Sequence, residues 1–264
     1  MINKNILMVL LTLILTCKAI AEDSSSWTFN TLKDSYKVSK GDIFIFNHFK
    51  GDVRIKTADT EHVQVTAIAQ FHEKDPRKPN IKFTSKIFDS SNKHDLSIDF
   101  DYLEIAEQQA WSKRRIDVGI LVPKDLNLMI NTGDGIIEVK NIEASSNLKS
   151  IKGEIYYKGI GDLIAYSERG KVTAQFKKTK KSHQVDLSSL TGDIQLILLE
   201  GANAQISTET RGPITTDFTV KINREKNSPF KKGMTKIGKG YSKIFLKSHS
   251  GGIRLQGLTI SEKK

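Results

Sequence analysis

Residues 116–142 read IDVGILVPKDLNLMINTGDGIIEVKNI, and residues 148–176 read LKSIKGEIYYKGIGDLIAYSERGKVTAQF. Both follow one phrase: a small or polar turn, a Gly, then a short alternating run rich in β-branched residues. Gly135-Ile-Ile-Glu-Val139, Gly153-Glu-Ile-Tyr-Tyr157, Gly170-Lys-Val-Thr-Ala174, Gly192-Asp-Ile-Gln-Leu196 and Gly212-Pro-Ile-Thr-Thr216 are five copies. Gly51-Asp-Val-Arg-Ile55 precedes them and Gly252-Ile-Arg-Leu255 follows. From Gly135 onward the gaps are 18, 17, 22, 20 and 40 residues, the last being two periods with an insertion inside. A sustained period near twenty predicts stacked repeats, because each short unit exposes an apolar face that the next unit must cover.

Working outward, the alternation assigns an inward set: Leu126, Leu128, Ile130, Ile137, Val139, Ile142, Leu148, Ile151, Ile155, Leu163, Ile164, Val172, Ile194, Leu196, Ile206, Ile214 and Phe218. The corner glycines are expected to supply positive φ or to let a neighbouring coil approach closely. The acids beside them (Asp134, Glu154, Asp193) read as turn formers. The predicted fold class is all-β: a single-stranded β-solenoid, β-helix-like, with coils of about 20 residues, preceded by an antiparallel β N-terminal part. The expected division is a signal peptide at 1–21, an N-terminal β region at 22–115 with the first repeat-like strands and an irregular insertion at 72–114, and the β-solenoid repeat domain at 116–264.

Upstream, Gly41-Asp-Ile-Phe-Ile-Phe46, Gly51 to Thr57 and Glu61 to Ala69 alternate as half-buried strands. Between His72 and Arg115 the period is lost. Asp75-Pro-Arg-Lys-Pro79 reads as a loop, since proline cannot donate into a ladder. Ile81 to Phe88 and Leu96 to Phe100 form a hairpin about residues 89–92, and 103–114 is a short helix-forming stretch.

The first residues combine a basic start (Met1-Ile-Asn-Lys4), an apolar run from Ile6 to Thr16 and a small-x-small pattern at Ala19-Ile20-Ala21. That is the layout of a secretory signal peptide, and no later stretch is long and apolar enough to form a transmembrane helix. The alternative is a lipoprotein anchored at Cys17, although Thr16 stands where a lipobox carries Gly, Ala or Ser. Cleavage after Ala21 leaves a chain without cysteine, held together by core burial and backbone pairing. It also removes Lys4 and Lys18 and no acid, lowering the formal charge from +11 to +9. For an exported protein, periplasmic or extracellular, this charge points either to an anionic partner (anionic polysaccharide, lipopolysaccharide or lipid headgroups, and not nucleic acid) or to a basic surface that only keeps the chain soluble, and another envelope protein is a further candidate partner.

Two insertions break the repeat, at Lys177-Lys-Thr-Lys-Lys181 and at Asn223 to Lys232. Insertions in a repeat become loops on one face, where binding concentrates. Lys177, Lys178, Lys180, Lys181, Lys231 and Lys232 are therefore the candidate anionic-ligand residues. The six histidines are scattered with no metal spacing, and no Ser-His-Asp arrangement, phosphate loop or calcium β-roll repeat occurs. No catalytic, metal or cofactor site is expected. The leading expectation is a non-enzymatic, adhesin-like or envelope-associated binding protein. The alternatives are a carbohydrate-active lyase or hydrolase on a β-helix, with two carboxylates in one groove, and a purely structural envelope protein.

The combination of Val122-Pro-Lys124, LNLMINTGDGIIEVKNI, the recurring Gly-Asp/Glu-Ile/Val corners and the closing GKGYSKIFLKSHSGGIRLQGL at 238–258 resembles the bacterial "putative adhesin" domain, a domain of unknown function in exported proteins. The resemblance covers residues 40–70 and 115–258. It implies a single-chain β-solenoid outside the cytoplasm, adhesin-like or envelope-associated, without established catalysis.

Overall fold

Alternating apolar and polar residues bury one face of a strand and wet the other, and the corners join such strands into two facing sheets. A computed structural model describes residues 27–72, 81–88, 93–100, 114–177, 182–199 and 201–258. The N-terminal strands are β1 (Trp27–Lys37), β2 (Ile43–Lys50), β3 (Val53–Thr57), β4 (His62–His72), β5 (Ile81–Phe88), β6 (Lys93–Phe100) and β7 (Arg114–Val122). Next come β8 (Asn127–Asp134), β9 (Ile137–Ile142), β10 (Ser146–Lys152), β11 (Ile155–Gly159), β12 (Leu163–Arg169), β13 (Val172–Phe176), β14 (Gln184–Ser189) and β15 (Ile194–Leu199). The last are β16 (Ala204–Thr210), β17 (Ile214–Thr216), β18 (Lys221–Arg224), β19 (Lys231–Ile237), β20 (Ser242–Ser248) and β21 (Ile253–Leu258). No helix occurs among the described residues. The stretch 103–113, the Pro-containing loop and residues 1–26 lie outside them.

From β8 to β15 the chain alternates between an eleven-stranded and a ten-stranded sheet. Each even-numbered strand and its odd-numbered successor make one rung, joined at a corner glycine. Strands of successive rungs pair in parallel and in register, so like positions stack. Val53, Ile137, Ile155, Val172, Ile194, Ile253 and Ile214 form one such column in the ten-stranded sheet. All but Ile214 are 1 % exposed or less, so the column is the spine of the core.

The expected antiparallel N-terminal part is present in the pairs β1–β4, β4–β7 and β5–β6, the last being the hairpin expected about residues 89–92. β2 and β3 are the repeat-like strands of this region: they run parallel to β8 and β9 as a rung of the stack, because Gly51-Asp-Val-Arg-Ile55 carries the same corner as the later copies. Two inward assignments also fail. Ile164 is 51 % exposed and Ile151 is 43 % exposed. Leu163 and Ile164 are adjacent, and a strand turns consecutive residues to opposite faces, so Leu163 takes the core. At the β10 corner Ser150 takes the interior, leaving Ile151 outside.

The corners show why Gly recurs. A Cβ on Gly153 would lie 2.0 Å from the Gly135 carbonyl oxygen, and one on Gly192 would lie 1.9 Å from that of Gly170. The same contact continues to Gly251, which is therefore the corner glycine of the last copy, in place of Gly252. A buried hydroxyl lies beneath each of these corners. Ser167 Oγ donates to Gly153 O (2.8 Å), Ser189 Oγ to Gly170 O (3.2 Å) and Ser248 Oγ to Gly192 O (2.8 Å). Each of these hydroxyls stands three residues before its own corner glycine, a Ser-x-x-Gly spacing that the alternation alone does not reveal. In the β2 rung the position is taken by His48, whose Nε2 bonds Ile116 O at 2.9 Å. The corner acids also reach across rungs: Asp52 Oδ1 accepts the Ile136 N–H (3.1 Å) and Asp193 Oδ1 the Gly252 N–H (2.7 Å).

The rungs do not stack in chain order. The spatial order ends β14–β20–β16–β19–β18 in one sheet and β15–β21–β17 in the other. The last rung, β20 with β21, thus lies between two rungs that precede it in sequence.

Candidate functional site

The two outer faces differ in chemistry. On the ten-stranded face, outward side chains are tied to one another. Lys171 Nζ reaches Gln195 Oε1 (2.7 Å), Gln195 Nε2 reaches Gln256 Oε1 (3.0 Å), and Lys140 pairs with Glu138. On the eleven-stranded face, strands present Phe49, Ile164, Ile222, Met234 and Phe245 to solvent, each between 48 % and 51 % exposed.

A groove of about 560 Å³ opens on that face, where the inserted β20 lies between β14 and β16. The register explains its shape. One row across the strands runs Asp186, Phe245, Ser207, Met234, and the next runs Ser188, Lys247, Glu209, Lys232. β20 and β19 contribute long side chains, while β16 between them contributes Ser207, so β16 becomes the floor. Thr208 and Leu246 close the base from the core side.

Lys247 Nζ bonds Glu209 Oε1 at 2.9 Å and stands 6.0 Å from the centre of the Phe230 ring, over which the Arg211 guanidinium also lies at 4.9 Å. Lys232 Nζ bonds Glu225 Oε1 at 2.8 Å and holds that carboxyl below its usual range. Asp186 titrates above the usual carboxylate range because burial penalises its charge. Exposed Lys243 and Lys236 flank the groove on β20 and β19.

Of the six candidate lysines, Lys232 projects into this groove. Lys231, its neighbour, faces the opposite way and is half-buried. Lys177 follows β13 in the ten-stranded sheet, exposed, with Nζ 3.1 Å from Asn141 Oδ1. Lys178, Lys180 and Lys181 fall outside the described residues. Both ends of their insertion are anchored in the core: the Phe176 and His183 rings meet edge to face at 5.0 Å. His183 Nε2 contacts Gly161 O, and the Gly161 N–H donates to Tyr157 Oη at 3.1 Å.

Sequence reasoning missed Asp186, Ser207, Glu209, Met234, Phe245 and Lys247. Phe245 and Met234 do leave a trace, an apolar residue in the polar phase of SKIFLKS and KKGMTKI. Their neighbourhood does not, because β14, β20, β16 and β19 meet only through the change in rung order. Among the described residues no group of three or more His, Cys, Asp or Glu could hold a metal ion, and no helix is long and apolar enough to cross a membrane.

No family model matches the sequence, and no curated protein matches it. Among solved structures, the chain is similar to a "putative cell adhesion protein" from Clostridium sporogenes, with 16 % identity and a TM-score of 0.49 over 87 % of this chain and 100 % of that one. It is also similar to a "putative adhesin" from Bacteroides fragilis, with 10 % identity and a TM-score of 0.35 over 86 % of this chain and 97 % of that one. A third similar structure is a "putative lipid binding protein" from Parabacteroides distasonis, with 11 % identity and a TM-score of 0.23 over 87 % and 96 % of the two chains. One of the three names, the second, carries the adhesin label that the sequence resemblance also carries.

Proposed function

We propose that the chain is an exported, non-enzymatic β-solenoid that binds an anionic polymer of the cell envelope or its surroundings through the outer face of the eleven-stranded sheet. The observation that carries this reading is the coexistence on that face of exposed Phe245 and Met234 with Lys232, Lys236, Lys243 and Lys247. Apolar side chains at the centre of a patch supply contact area, and lysines around it supply attraction to phosphate or carboxylate groups. The lysine insertion at 177–181, in the sequence between β13 and β14, adds further positive charge. The signal-peptide pattern supplies the compartment, and anionic polysaccharide, lipopolysaccharide and lipid headgroups are the ligand chemistries it implies.

The test is retention of residues 22–264 on lipopolysaccharide, on an anionic polysaccharide, and on anionic against neutral vesicles, each over a salt series. Retention is expected on anionic surfaces. It should weaken with salt, and weaken sharply when Lys177, Lys178, Lys180 and Lys181 are neutralised together with Lys232. Equal retention on neutral surfaces, or none on any, contradicts the reading.

A second reading, a carbohydrate-active enzyme, draws on Asp186 and Glu209 lining one groove. The Lys247–Glu209 ion pair favours binding over catalysis, since it occupies the second carboxylate. Release of reducing ends from a glycan panel, abolished by Asp186→Asn, would reverse the order of the two readings.

A further inference from the structure

Strand β20 is hydrogen-bonded in parallel to β14 on one side and to β16 on the other, and β21 is flanked likewise by β15 and β17. Residues 242–258 therefore fill a slot whose walls are complete in sequence by residue 216. The fit runs through every layer of the slot. The registers Gln184–Lys243–Gln205 and Ile194–Ile253–Ile214 are continuous across it. Ser248 Oγ donates to Gly192 O at 2.8 Å, and Thr210 Oγ1 donates to Gly251 O at 2.5 Å. Ile244, Leu246, Ile253 and Leu255 each lie 1 % exposed in the core. Without this rung, four strand edges would present unpaired backbone groups around an apolar gap, which is a template for another chain.

The tether to the slot is short. Ile237 and Ser242 both pair with Ala204, from opposite sides. Residues 238–241 must therefore arch over the start of β16, spanning two strand spacings, about 10 Å. Gly238 and Gly240 make the arch with φ of 56° and 70°.

We propose that the β20–β21 rung is exchangeable, and that a second copy of this chain can insert its residues 242–258 into the slot, giving rung-exchanged dimers. The contacts are the same whether the rung comes from its own chain or from a neighbour, so concentration and tether length decide between them. The rung is also synthesised after both walls of the slot. Newly emerged chains therefore pass through a state with the slot open and the rung free, where two copies can meet. This inference is independent of the binding reading above.

The test uses the full chain with Cys17→Ser. One chain carries Gln184→Cys and another Lys243→Cys, two exposed positions that are direct neighbours across β14 and β20. Parallel neighbours lie within disulfide range. The two chains are refolded together from denaturant, oxidised and analysed by non-reducing electrophoresis and peptide mass spectrometry. The expected product is a dimer linked through positions 184 and 243, its share rising at least several-fold as refolding concentration is raised tenfold. Deleting Gly238, Lys239 and Gly240 leaves two Cα steps, about 7 Å of reach, which is too short to cross β16 and should make the linked dimer predominate. The chain bearing both substitutions shows that the cysteines can pair. If it forms the 184–243 bond within one chain while the mixture forms none between chains at any concentration, the proposal is overturned. A shortened-tether chain that stays a folded monomer overturns it as well.

Discussion

At Gly192 the missing side chain is a matter of space. The residue has an ordinary backbone conformation, but a Cβ would stand 1.9 Å from the Gly170 carbonyl oxygen of the rung below. Gly192→Ala must lever two rungs apart and break the Ser189 and Ser248 hydroxyl bonds around them. It should cost on the order of 3 kcal/mol or more in urea unfolding. Gly201→Ala is the contrast: φ is +81° but no atom lies within 4 Å of its Cβ, so the loss should be about 1 kcal/mol. Equal losses at the two positions would contradict the stacking account. The Gly repeat was legible in the sequence and so was its physical reason. The hydroxyl beneath each corner was not, because Ser150, Ser167 and Ser189 look like ordinary strand residues until the carbonyl above them is known.

His48 makes the same ladder sensitive to acid. Burial lowers its pKa from 6.5 to about 4, while its Nε2–H donates to Ile116 O and the ring stacks 5.8 Å from Phe46. Asp117 pulls the pKa upward and Arg115 pushes it down, both weakly against the burial. The unfolded chain takes up the proton below about pH 6.5 and the folded chain resists until about pH 4. Stability is therefore full above pH 6.5 and declines as pH falls between these values, by about 3 kcal/mol. His48→Gln, which keeps an N–H donor, should remove that share of the acid slope in urea titrations at pH 7 and pH 4.5. An unchanged slope would show that His48 does not carry it.

At the scale of the strand, period-two alternation recovered most of the core and failed where two apolar residues adjoin. Leu163 and Ile164 cannot both face inward, and Leu163 takes the core because its partners Ser146 and Val185 are buried core-facing positions. The outward residue of such a pair is surplus to the fold, and on the eleven-stranded sheet Ile164 and Phe245 are of this kind. The hairpin β5–β6 was readable because its strands are local to each other. The parallel pairing of β2 with β8 was not, since 84 residues separate the two ladder partners Ile43 and Asn127.

For the molecule as a whole, repetition in the sequence announces stacking but not its order. Gly212 and Gly251 belong to neighbouring rungs, with a Cβ on Gly212 falling 2.4 Å from Gly251 O, and the later residue lies nearer the middle of the stack. The groove exists because of that reversal, which sets Phe245 and Lys247 of β20 beside Asp186 on one side and Glu209 on the other. The central claim is that this face, and not the polar face opposite, meets the ligand. It is tested by comparing retention on lipopolysaccharide and anionic vesicles of a Met234→Glu/Phe245→Glu chain with that of a Thr173→Glu/Thr215→Glu chain. Both pairs sit at outward positions and add the same charge, and urea unfolding checks that both chains remain folded. The account predicts at least a tenfold loss for the Met234/Phe245 variant and less than a twofold loss for the Thr173/Thr215 variant. Equal losses, or a greater loss from the ten-stranded face, would contradict it.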